Sequence, residues 1–185
     1  TVRDALLSRG EADGLGMLYA LVCDAESMLG NYDAALEAAN TSLRWRELHG
    51  HRAWHAVAFN RLARLHLLRG SLEGARSATR QARELATEAG FKPPEIESLA
   101  LLGRIQLIEG QVDEAERSVE AAVGATEQHP SPRSSIEAFV ARALVARARG
   151  DREQAFEDAG KALGLGRPER PRSAAEVEAL ALSAE

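Results

Sequence analysis

Glycine opens a recognisable segment every 40 residues: GNYDAALEAA from Gly30, GSLEGARSAT from Gly70, GQVDEAERSV from Gly110 and GDREQAFEDA from Gly150. A constant interval of this size constrains the chain more than any single motif, because it means one supersecondary unit stacked repeatedly on itself. The match extends beyond the glycine. An alanine follows five residues later each time, at Ala35, Ala75, Ala115 and Ala155.

Apolar residues recur at helical spacing on both sides of each glycine, so each unit reads as two antiparallel helices joined by short connections. The first helices are predicted over 12–29, 52–69, 94–109 and 134–149, and the second over 31–48, 72–89, 112–128 and 152–163. Each glycine stands where one helix ends and the chain reverses, a place that commonly needs a left-handed residue. Asp33, Glu73, Asp113 and Glu153 follow closely and favour the positive end of the next helix. LHGH (48–51), AGFKPPE (89–95), QHPSP (128–132) and GLGRPERP (164–171) punctuate the unit boundaries.

The reading is therefore an all-α, right-handed α-solenoid over residues 1–185 as a single repeat domain. Its repeats are 11–50, 51–90, 91–130 and 131–170, with partial repeats at both ends. Residues 1–10 share Thr and Gly at their limits with 41–50 and read as the tail of a preceding repeat, while 171–185 read as the start of a further helix. No polar cap is recognisable at either end, which predicts a longer natural protein whose other domains carry the defining activity. Open solenoid ends also make end-to-end pairing of two copies a candidate assembly.

Composition fits this picture, since 45% hydrophobic residues with only 4% aromatics favours helices packed through small side chains. A net charge of -5 argues against direct nucleic-acid binding, which requires a basic field to displace phosphate counterions. One cysteine, Cys23, makes no internal disulfide, and no apolar run is long enough to span a membrane. These features place the expected location in the cytoplasm.

The segment LLGRIQLIEGQVDEAERSVEAAV, with Leu102–Gly103, Gly110, Ala115 and Ala122, resembles the tetratricopeptide (TPR) family. The 40-residue period exceeds that family's 34. The longer variant is similar to the sensor regions of bacterial LuxR-type and antibiotic-regulatory transcription activators. In such superhelices the first helices line the concave surface. The resemblance thus implies that Asp24, Asn60, Arg61, Arg64, Arg104 and Arg147 face a partner. Arg64 and Arg104 occupy one position in successive repeats, as a basic ladder suited to a carboxylate or acidic peptide. The alternative for these residues is a solvated face with local ion pairs.

The small residues Cys23, Ala63, Gly103 and Ala143 read as close-packing positions between paired helices. His49, His51 and His55 cluster without a completing ligand motif, so a surface loop is expected and no metal site. Trp45 and Trp54 flank one boundary and are expected to pack across it, with an aromatic anchor as the alternative. No phosphate loop, dinucleotide fingerprint or nucleophile elbow is present, so neither catalysis nor a cofactor is expected.

The leading expectation is a protein- or peptide-interaction module, within a larger regulatory protein, that receives a partner segment or part of its own parent chain. The alternative is a small-molecule effector-sensing domain. An enclosed pocket would favour the latter and an open groove the former.

Overall fold

The computed structural model describes Arg3, Asp4 and Leu7 and residues 12–47, 52–166 and 174–184, all in helices and their connections. Within these residues the helices run in order α1 (Ala12–Met28), α2 (Tyr32–Glu47), α3 (Arg52–Leu68), α4 (Leu72–Glu88), α5 (Lys92–Ile108), α6 (Val112–Gln128), α7 (Pro132–Arg149), α8 (Arg152–Leu165) and α9 (Ala174–Ala184). The fold is an all-α helical-repeat solenoid, and the predicted helices lie within two residues of those observed. The expectations for most of 1–10, for His49 and His51, and for 167–173 fall outside the described residues.

The turns explain the periodicity. Gly30, Gly70, Gly110 and Gly150 have φ of 78°, 72°, 78° and 83°. At Gly30 the glycine N–H donates to Ser27 O at 3.2 Å and the next N–H, of Asn31, donates to Glu26 O at 2.9 Å. This pair of bonds satisfies carbonyls that the helix end would otherwise leave open, and it requires the left-handed residue. The same pair recurs at each of the other three glycines and at Gly90, whose φ is 63° and which closes α4.

Ala35, Ala75 and Ala115 have no exposed surface and Ala155 has 6%. Each stands on the first turn of a second helix and lets it lie close to its partner. The same logic is sharpest at Gly103 in α5, where a Cβ would meet Val119 Cγ1 at 2.5 Å and Ala115 O at 3.2 Å. Cys23, Ala63 and Ala143 are also buried.

The chain divides into two compact units, Thr1–Phe91 and Lys92–Glu185. In the first, α1 packs on α2, α2 on α3 and α3 on α4. Arg46 of α2 is buried across Gly16 of α1, where a Cβ would come within 3.0 Å of Arg46 Cγ. Ser42 Oγ donates to Gly16 O at 2.6 Å, and the Arg46 guanidinium lies 5.2 Å from the centre of the Trp54 ring. Phe91 meets Trp54 edge-on at 6.2 Å, so among the described residues the ring partners of Trp54 are Arg46 and Phe91 rather than Trp45.

In the second unit consecutive helices pack in the same way, but α5 also lies directly on α7, and α7 on α9. Its core has two clusters: Ile96, Val119, Val123 and Val145 with small residues around them, and Ile136, Val140 and Leu182 with five alanines. A buried ion pair links α7 to α8. Arg142 Nε and Nη2 donate to the two oxygens of Asp158 at 2.7 and 2.8 Å, Asp158 is fully buried, and its hydrogen bond holds Arg142 above the ordinary arginine value.

Candidate interaction surface on the first helices

Position within the 40-residue repeat defines one face of every first helix. On α5 it carries Glu97, Leu101, Arg104 and Ile108, at spacings of four, three and four residues, which keep them in line on a helix. The equivalent residues of α1 are Met17, Leu21, Asp24 and Met28, and of α3 Val57, Arg61, Arg64 and Leu68.

In the second unit α7 reaches this face through ion pairs to Glu97 and Arg104, while Ile108 at its end is 59% exposed. Glu97 is 4% exposed and Leu101 is completely buried. Arg133 of α7 pairs with Glu97 at 3.4 Å, and Arg104 sits between Glu137 of α7 at 4.0 Å and Glu178 of α9 at 3.0 Å. Arg104 is thus tied to α7 and α9 by two acids. Arg147, two turns further along α7 than Val140, is exposed.

The first unit presents the same face differently. The Arg61 guanidinium of α3 reaches α1 and donates from Nε to Asp24 Oδ1 at 3.1 Å and from Nη2 to Oδ2 at 3.3 Å. This is the planar two-point geometry that arginine favours. Apart from that point α1 and α3 do not pack along one another. Met17, Leu21 and Met28 are consequently 56%, 61% and 55% exposed. Arg64 is half-buried, whereas Asn60 is fully buried.

Of the six residues expected to face a partner, the structure brings Asp24 and Arg61 together, keeps Arg64 on the same face, puts Asn60 inside, engages Arg104 with acids and exposes Arg147. Sequence reasoning overlooked the apolar stripe of α1 and the acids opposite Arg104. The register held the signal, since Met17 and Leu21 stand where Glu97 and Leu101 stand 80 residues later.

Cys23, beside Asp24, is buried, and burial first and the Asp24 charge second push its thiol above the ordinary value. It therefore stays protonated and unreactive at neutral pH. No group of three or more potential metal ligands occurs among the described residues. A half-open cleft of about 330 Å³ lies between α5 and α6, with Ile96, Leu99, Ala121 and Ala125 as its floor and Lys92, Glu95, Gln128 and His129 at its rim. Among the described residues no helix is long and apolar enough to cross a membrane.

Fold and face together define a helical-repeat protein. The chain is similar to the crystal structure of BtubC (BKLC) from P. vanneervenii, with a TM-score of 0.65 and 22% identity over 94% of this chain and 76% of that one. At that identity the likeness concerns the fold alone. No protein-family model and no curated protein sequence matches the chain.

Proposed function

We propose that this chain is a tetratricopeptide-like protein- or peptide-interaction module, part of a larger cytoplasmic regulatory protein, that binds through the aligned face of its first helices and performs no catalysis. The observation that carries this reading is the first-unit face, where exposed Met17, Leu21 and Met28 flank the fixed charges Asp24 and Arg61. Apolar area beside a few oriented charges on rigid helices supports binding with little ordering cost. The partner is a protein segment, from another chain or from the parent chain.

The test is selection of a displayed random-peptide library on the chain, followed by affinity measurement against Arg64→Glu and Arg147→Glu variants. Enriched peptides weakened by at least one reversal support the module. Failure to enrich any peptide counts against it.

The α5–α6 cleft favours a second reading, the effector-sensing domain, because its apolar floor and charged rim suit a small amphiphile. Its volume of about 330 Å³ stands at the lower end of ligand pockets. A small-molecule thermal-shift screen repeated on Ala121→Trp, which fills the cleft, separates the two readings.

A further inference from the structure

We draw no further inference here: the strongest candidate, the exposed apolar row of Met17, Leu21 and Met28 on α1, is an unpartnered helix face, and nothing in the structure shows what covers it.

Discussion

The two units place the same helix face in opposite circumstances. On α5 its first two positions are buried, with Leu101 at 0% exposure and Glu97 at 4%, whereas on α1 the equivalent Leu21 and Met17 are 61% and 56% exposed; at the last position Ile108 and Met28 are alike, at 59% and 55%. The closed face is bridged by Arg133–Glu97 and Arg104–Glu137, and the open one by Arg61–Asp24. Net charge differs as well, because the chain's formal -5 lies entirely within Lys92–Glu185. The comparison teaches that one repeat register supports two uses. Direct contact between first helices makes a core, and its absence leaves a surface that other molecules can reach.

The largest effect expected from breaking this comparison is at the buried pair of the closed unit. Arg142→Met leaves Asp158 buried without its two-point partner, and should cost about 3–5 kcal/mol in urea unfolding. A loss below about 1 kcal/mol would show that water replaces the guanidinium. Leucine truncation comes next and sharpens the contrast directly. Leu101→Ala should destabilise by about 2–5 kcal/mol, whereas Leu21→Ala at the equivalent position should stay within about 0.5 kcal/mol. Similar losses for both would mean that the α1 face is covered in solution.

Glycine substitutions are expected to give a smaller difference. Gly103→Ala drives a methyl into Val119 and the Ala115 carbonyl, at about 1–3 kcal/mol. Gly16→Ala meets the Arg46 side chain at 3.0 Å, which needs to give only a few tenths of an ångström, and Ser42 O at an ordinary 3.6 Å, and it gains helix propensity, so its melting temperature should change little. Equal melting shifts would contradict the difference in closeness. The smallest effect concerns pH. Burial and then the Arg69 charge lower His66 from its ordinary 6.5, so the unfolded chain binds its proton more readily. Its contribution to stability is complete above about pH 6.5 and declines as the pH falls below that value. His66→Gln should flatten this acid-side slope in denaturant midpoints measured across pH, and an unchanged slope would remove His66 from the account.

Much of the fold was legible because its signals are local. Gly110 and Ala115 each report a conformation or a packing distance set within a few residues, and repetition at 40 multiplies the report. The face residues were legible by position but not by circumstance. Asn60 and Arg61 are neighbours in sequence, yet one is fully buried and the other spans to Asp24. Arg64 and Arg104 share a register position, but only the acids of α7 and α9 decide that Arg104 is held as an internal ion pair.

By itself the sequence determined the helices, their left-handed glycine turns and the alternation of first and second helices, since these follow from backbone conformation and side-chain size over short spans. Only the tertiary structure decided which first helices touch. That outcome depends on the summed packing of small residues and the direction of long charged side chains between segments some 40 residues apart, as from Glu97 to Glu137. The same periodic pattern accommodates both arrangements, and so the exposure of Met17 and Leu21 on α1 and the burial of Glu97 and Leu101 on α5 emerge only when the helices are in place.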